Sequence, residues 1–98
     1  MELTIQSVNF DASEQLKAFA EKKVNKLLRY TDDIIQSEMI MKVVRPEAPK
    51  NKEVSIKLNI KQADSFASKT ADTFEEAIDL CVEALEKQIR RSKEKNNG

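Results

Sequence analysis

The sequence contains no histidine and no tryptophan, one cysteine (Cys81), and one glycine, Gly98, which is the last residue. Without histidine there is no imidazole base, and a single cysteine can form neither a zinc site nor a disulfide within the chain. Without an internal glycine the chain has no Gly-rich loop to hold a nucleotide phosphate. The sequence therefore predicts a protein that is not an enzyme and that uses no metal, no cofactor and no small-molecule substrate.

Long apolar runs are also missing. The N-terminal segment MELTIQSVNF has no basic stretch followed by an apolar one, and no segment reaches the length that spans a membrane. We therefore expect a cytoplasmic protein without a membrane partner, and the lone thiol agrees with a reducing compartment. The chain has 98 residues, of which 40% are hydrophobic and 35% charged. This composition predicts one folded domain over residues 1–95 and a short flexible tail at residues 96–98.

Hydrophobic spacing divides the chain into six elements. In chain order these are a strand at 2–8, a helix at 14–30, strands at 34–45, 54–60 and 66–71, and a helix from 74 that frays after 93. The order is β-α-β-β-β-α, which is an α+β fold. Two helices with one apolar stripe each are buried most simply on one face of a four-stranded, mainly antiparallel sheet.

The starts of both helices carry capping residues. Ser13, or alternatively Asp11 with Glu14 three residues later, can cap the first helix. Thr73 with Glu76 offers a capping box for the second. These signals predict where each helix begins.

Several chemically notable residues fall at positions that a core needs. Cys81 lies on the apolar stripe of the second helix, which predicts a packed thiol rather than a reactive one. Met39 and Met41 share one face of the second strand and are expected in the core as well. Aromatic side chains could stack on bases, but most of them lie where the core stripes run. These residues are therefore better explained by packing than by function.

Basic residues collect on one flank of the first helix. A helical projection places Lys22, Lys26 and Arg29 together, with Lys23 near the edge of the apolar stripe. One interpretation is a solvated helix face, because charged flanks are common on helices. The other is a track for nucleic-acid phosphates.

The second helix is polarised along its length, with acids in its first half and bases in its second. The basic residues are Lys87, Arg90, Arg91, Lys93 and Lys95. Complementarity to the helix dipole explains this order, but it does not explain the basic flank of the first helix or the solvent-facing strand residues Lys42, Lys57 and Lys61. If the helices pack side by side, their basic parts could merge into one patch on a chain of zero net charge. A local field of this kind suits a protein that binds structured RNA.

The two helical segments, SEQLKAFAEKKVNKLLRY and TFEEAIDLCVEALEKQIRRSKEK, resemble the ribosome hibernation promoting factor and ribosome-associated inhibitor A family, also known as sigma-54 modulation proteins. The resemblance runs from Leu3 to Lys95 and includes LTI in the first strand, AID at 77–79, and L-x-x-Q from Leu85 followed by basic residues. It implies a fold similar to a double-stranded RNA-binding domain. It also implies binding to the small ribosomal subunit, in the channel used by messenger and transfer RNA, and stabilisation of inactive, hibernating ribosomes in stationary phase or stress.

The family's RNA-binding positions can be carried over one by one. On the first helix they match Lys23 and Lys26, with Lys22 and Arg29 as neighbours. On the second helix they match Lys87, Arg90 and Arg91. The resemblance thus names the residues that the helical projection groups, and it implies ribosomal RNA as their partner. It further implies a short form, whose single ribosome-binding domain at 1–95 is not followed by a C-terminal dimerisation domain, and we expect the free protein to be a monomer.

The chain departs from the family at a few positions. Ala84 stands where many members have lysine, and Ser7 and Ala71 stand near turns where many have glycine. A competing hypothesis also stays open: a small protein-interaction adaptor, or a modulator of a transcription factor, whose partner is not RNA. Dependence of its associations on RNA would separate the two hypotheses.

Overall fold

The computed structural model describes residues 2–45, 47–61 and 64–96, with side chains described as far as Arg91. The elements are β1 (Glu2–Val8), α1 (Glu14–Asn25), a 3-10 turn (Lys26–Arg29), β2 (Ile34–Val43), β3 (Lys52–Ile60), β4 (Ser65–Ala71) and α2 (Phe74–Asn96). This sequence of elements confirms the predicted β-α-β-β-β-α order. No helix in the described part of the chain is long and apolar enough to cross a membrane.

The four strands form one sheet in the order β1-β2-β3-β4. β1 runs parallel to β2, because α1 carries the chain back across the sheet between them. β2 with β3 and β3 with β4 are antiparallel, so the predicted mainly antiparallel sheet is confirmed. β2 has a neighbour on each side, as its pattern predicts, while β4 forms one edge of the sheet.

The core lies between one face of the sheet and both helices. Alternate residues of β3, namely Val54, Ile56 and Leu58, are fully buried, whereas Lys57 between them is exposed. The residues of α1 and α2 that are buried in the same cluster are Ala20, Val24, Phe74, Ala77, Ile78, Cys81, Leu85 and Ile89. Both helices therefore cover the same face, and the opposite face of the sheet is left to solvent.

The first helix is shorter than predicted. The spacing predicts a helix to Tyr30, but the α-helix ends at Asn25 and the chain continues as a 3-10 turn over Lys26–Arg29. Tightening of this kind is common at helix ends and changes the direction of the side chains. It places Leu27 in the core with no exposed area, which the predicted helix also required.

The turns do without glycine. Asn9, Arg45 and Lys50 adopt left-handed backbone angles, with φ of 69°, 46° and 56°. β2 ends at Val43, two residues before the predicted limit at Arg45. Arg45 has a positive φ, and a residue with positive φ does not continue a strand. The backbone N–H of Lys50 donates to the Asp72 carboxylate at 3.0 Å, which ties the loop after β2 to the turn before α2.

Both predicted helix caps are present. The backbone N–H of Leu16 donates to Ser13 Oγ, and that of Glu76 donates to Thr73 Oγ1, each at 3.1 Å. These bonds satisfy N–H groups that the first turn of a helix leaves without a partner. α2 then runs to Asn96, beyond Lys93, where the sequence predicts fraying. Most of the predicted tail, residues 97 and 98, lies outside the described residues.

Candidate RNA-binding surface

The basic residues of α1 and the 3-10 turn form a compact group, the helix-1 cluster, which consists of Lys22, Lys23, Lys26 and Arg29. Lys22 and Lys26 are one helical turn apart, and Lys26 and Arg29 project to the same side because residues three apart are eclipsed in a 3-10 helix. Lys22, Lys26 and Arg29 are exposed. Repulsion from Lys23, together with some loss of hydration and the charges of Lys22 and Arg29, lowers the pKa of Lys26. The cluster is therefore a local concentration of positive charge.

Lys23 differs from the rest of the cluster because it contacts α2. Its Nζ lies 3.0 Å from Asp79 Oδ1, and it lies 5.3 Å from the centre of the Phe19 ring. The hydrogen bond and the attraction to Asp79 raise the pKa of Lys23. The Lys23 side chain is only 25% exposed, and its ion pair with Asp79 connects the two helices at the edge of the cluster.

Arg90 lies at the seam between the two helices. Tyr30, at the end of the 3-10 turn, donates its hydroxyl hydrogen bond to Glu86, and this bond is the main reason that the pKa of Tyr30 is raised. Glu86 Oε1 also lies 3.6 Å from Arg90 Nη1. The positive charges of Arg90 and Arg29 both act to lower the pKa of Tyr30. Arg90 therefore lies beside the helix-1 cluster.

Lys87 and Arg91 lie on another flank of α2. They line a shallow open groove of about 370 Å³ between α2 and the edge strand β4, which we call the β4–α2 groove. The other residues that line it are Lys69, Leu80, Glu83, Ala84 and Gln88. The predicted second-helix residues are thus divided between the seam and this groove.

Gln88 holds the groove together. Its Nε2 donates to the carbonyl of Phe66 at 2.8 Å, and its Oε1 accepts the Phe66 N–H at 3.3 Å. The glutamine thereby replaces a neighbouring strand along one residue of the β4 edge. Leu85, three residues earlier, is buried in the core. Leu85 therefore holds α2 against the sheet, and Gln88 holds it beside the edge of β4.

Lys69 is the groove residue that the sequence analysis missed. Strand alternation places it on the same face as Ala67 and Ala71, which are buried beneath α2. Lys69 nevertheless is exposed, because β4 is the edge strand and α2 does not cover it fully. The signal was present in FASKTA as a charge at an inward-facing position.

The strand lysines do not join these surfaces. Lys42 and Lys57 alternate with buried residues and lie on the face of the sheet opposite the helices. Lys57 is paired across the strands with Glu38 on one side and Phe66 on the other. Lys61 is exposed just after β3. They are therefore excluded from the surface formed by the helices.

The residues explained by packing lie where the sequence places them. Met39, Met41 and Cys81 are buried, and the Cys81 thiol donates to the carbonyl of Val54 at 3.1 Å. Phe10 and Phe74 stack on one another with ring centres 4.3 Å apart. Among the described residues, no three His, Cys, Asp or Glu side chains are grouped to hold a metal ion. The helix-1 cluster and the groove are consequently the candidate binding surfaces among the described residues.

A comparison with protein families matches residues 3–97 to the family described as sigma 54 modulation protein / S30EA ribosomal protein. The chain belongs to this family. The match covers nearly the whole chain, so the family resemblance in the sequence analysis is confirmed.

Two curated relatives carry more specific names. A ribosome hibernation promoting factor from Azotobacter vinelandii is 30% identical over 95 residues, covering 97% of this chain and 85% of the relative. A ribosome hibernation promotion factor from Deinococcus radiodurans is 30% identical over 87 residues, covering 87% of this chain. The alignment takes up only 45% of that longer relative. Both relatives of this sigma 54 modulation family member are thus named for ribosome hibernation.

Solved structures support the fold of this family member. A ribosomal subunit interface protein from Coxiella burnetii superposes with a TM-score of 0.85 at 22% identity, covering 95% of this chain and 98% of that one. The N-terminal domain of Protein Y from Thermus thermophilus superposes with a TM-score of 0.80 at 20% identity, covering 93% and 98%. At these identities the likeness establishes the shared arrangement of sheet and helices.

Proposed function

We propose that this protein is a non-enzymatic ribosome hibernation factor. It binds the small ribosomal subunit in the channel used by messenger and transfer RNA, and it stabilises ribosomes in an inactive state in the cytoplasm. The names of the curated relatives support the ribosome as partner, and the surface of the helices supports ribosomal RNA as the bound component.

The observation that carries this proposal is the helix-1 cluster on a chain of zero net charge. Three of its four cations are exposed, and mutual repulsion is strong enough to lower the pKa of Lys26. A row of RNA phosphates relieves that repulsion and releases counterions, which favours binding. A merely solvated helix flank gains nothing from holding like charges so close together.

The proposed mechanism is occlusion. Phosphate contacts from the helices supply affinity and orientation but do not read base sequence. Specificity comes from matching the shape of a preformed RNA channel, as is usual for proteins that bind structured RNA. The packed body behind the helices then occupies space that messenger RNA and transfer RNA require.

The first test is sedimentation of purified subunits and ribosomes with the protein through sucrose gradients at low and high salt. We expect the protein to travel with the small subunit and with whole ribosomes at low salt, and to leave them as salt rises. A new, heavier ribosome peak would reveal ribosome pairing in addition. Protein that stays at the top of the gradient at low salt would contradict the proposal.

Replacing Lys26, Lys87 and Arg91 together by alanine tests the surface itself. Each cation that contacts a phosphate contributes about one to the slope of log K against log salt, so the slope should fall by about three. The melting temperature should hardly change, because exposed charges and surface ion pairs contribute at most about 1 kcal/mol.

The matched control replaces Lys42, Lys57 and Lys61 by alanine. It removes the same charge from the other face of the sheet and from the end of β3, and it should bind ribosomes as the wild type does. Equal binding by both triple variants would show that the basic helix surface is only solvated.

The adaptor hypothesis makes the opposite prediction for RNA. When a lysate is treated with ribonuclease before a pull-down, a ribosome-binding protein should lose its associated material. A partner retained after complete degradation of ribosomal RNA would favour a protein adaptor instead.

A further inference from the structure

We propose that the β4–α2 groove is a second RNA contact, in which Lys69, Lys87 and Arg91 hold phosphates of a segment different from the one bound by the helix-1 cluster. This inference rests on the proposed function and specifies how the same domain engages RNA. It adds Lys69, a strand residue, to a surface that is otherwise helical.

The position of Lys69 is unusual for a lysine. It lies directly across from buried Val54 in the strand pairing and has buried Ala67 and Ala71 on the same face of its own strand. Lys69 forms no ion pair with any residue whose side chain is described. Its charge therefore faces the groove, at the margin of the helix layer, and is available to an anion.

The groove as a whole suits an RNA backbone. Its cations outnumber its acids by three to one, since Glu83 is the acidic residue that lines it. Glu83 Oε1 lies 3.7 Å from Lys87 Nζ, an exposed pair that a phosphate can disrupt at small cost. Arg91 can offer a planar fork to phosphate oxygens. Exposed Leu80 and half-buried Ala84 provide an apolar wall for the sugar.

Charge complementarity selects RNA as the occupant. The groove is shallow and open and is bordered by three long cationic side chains. A polyanion with regularly spaced charges can contact several of them at once, and each contact releases a counterion. The occupant we infer is consequently a phosphodiester segment of ribosomal RNA.

The groove and the helix-1 cluster lie on different flanks of α2. Asp79 and Glu86 of α2 contact Lys23 and Tyr30 on the α1 side. Lys87 follows Glu86 by one residue, a rotation of about 100° around the helix, and lines the β4 side. One stretch of RNA along either flank does not reach the other without crossing α2. The two contacts therefore fit two RNA segments, with α2 between them.

A different role for Lys69 has to be separated by experiment. Inward-facing charges on edge strands discourage pairing with other chains, and β4 is an edge. If this were its only role, Lys69→Ala would leave ribosome binding unchanged and would increase self-association instead.

Lysine footprinting on the native chain tests the proposal without a substitution. The free protein and its complex with purified small subunits are acetylated briefly with an amine-reactive ester, and the extent of modification is read for each lysine by mass spectrometry. Lys69 and Lys87 should be protected in the complex, as Lys26 should be. Lys57, an exposed strand lysine on the other face of the sheet, is the internal control and should stay reactive.

The salt dependence of ribosome binding then identifies what covers the groove. Lys69→Ala should lower the slope of log K against log salt by about one, as Lys26→Ala should, while Lys57→Ala should leave it unchanged. Protection of Lys69 with an unchanged slope would indicate an acidic ribosomal protein and would overturn the RNA contact.

The remaining outcomes distinguish the two proposals. If Lys26→Ala weakens binding and Lys69→Ala has no effect on slope or affinity, the groove proposal fails and the proposed function stands. If the wild-type protein does not bind ribosomes at low salt, the proposed function fails and the groove proposal fails with it.

Discussion

The thiol of Cys81 is enclosed between α2 and β3, where it has no exposed area and donates to the Val54 carbonyl. Burial disfavours the thiolate and raises the pKa of Cys81 from 9.0 to about 11. The nearby Lys69 lowers it slightly but does not overcome burial. Cys81 therefore acts as a small apolar core residue with a weak hydrogen bond, as its place on the helical stripe predicts.

This pKa makes stability depend on alkaline pH. At pH 8 and below the thiol is mostly neutral in both states, whereas between pH 9 and about 11 it is ionised to a greater extent in the unfolded chain than in the folded one. Ionisation then favours unfolding, so by pH 10 the Cys81 contribution to the free energy of unfolding should fall by about 1 kcal/mol. Urea unfolding of the wild type and of Cys81→Ala at pH 8 and pH 10 measures the difference. The same pH dependence in both proteins would contradict the assignment.

Lys23 and Lys26 show how neighbouring cations acquire different roles. Asp79 stabilises the positive charge of Lys23, whereas the neighbouring cations destabilise the positive charge of Lys26. A phosphate contact therefore contributes less binding free energy at Lys23 than at Lys26. The sequence assigns both to RNA in the same way, and only the contact with α2 separates them.

At the scale of elements, the pairing of α2 with β4 determines the shape of the groove. Leu85 anchors one side of α2 in the core, and Gln88 forms two hydrogen bonds with the backbone of Phe66. These bonds fix the rotation of the helix about its axis. The directions of Lys87 and Arg91, which flank Gln88, are fixed with it.

Replacing Gln88 by alanine should loosen this junction. Two hydrogen bonds at an exposed strand edge are lost and are partly replaced by water, so we expect a loss of about 1 kcal/mol in the free energy of unfolding. The newly free edge of β4 should also increase concentration-dependent association. Urea unfolding and analytical ultracentrifugation measure the two effects.

Gln15→Ala is the control for this change, because Gln15 is exposed in the first turn of α1. It makes the same substitution in a helix without touching β4. If the two variants were equally stable and equally monomeric, Gln88 would not hold the junction.

The whole molecule combines zero net charge with strong local polarity. Basic residues concentrate in the second half of α1, in the 3-10 turn and in the second half of α2, while acids occupy the first turns of both helices. The basic half of α1 lies beside the acidic half of α2, since Lys23 contacts Asp79 and Tyr30 contacts Glu86. A polyanion without the right shape therefore meets acids close to the bases. For the proposed RNA binding, shape matching should count for more than in a uniformly basic protein.

This polarity predicts weak binding to generic polyanions. On heparin the protein should elute at low salt, even though it stays on ribosomes under the same conditions, because heparin cannot follow both flanks of α2. The triple variant of Lys26, Lys87 and Arg91 should change ribosome binding far more than heparin elution. Tight retention on heparin by the wild type would show that binding depends on charge alone.

Local sequence patterns determined much of this fold by themselves. The alternation in β3 from Val54 to Ile60 and the caps at Ser13 and Thr73 depend on neighbouring residues and on backbone geometry. The grouping of Lys22, Lys26 and Arg29 is local in the same sense, because residues three and four apart share a helix side. Such features can be predicted because each involves a single element.

The tertiary structure decided which residues of different elements lie next to one another. The sequence treats Lys87, Arg90 and Arg91 as one basic run, but packing places Arg90 beside Tyr30 and Lys87 and Arg91 beside β4. The pairing of Lys23 with Asp79 and the exposure of Lys69 likewise depend on where α2 lies over the sheet. Residues far apart in the chain come into contact only when the apolar stripes of the helices and the sheet are buried together. A local sequence pattern does not show which of these distant residues will be neighbours.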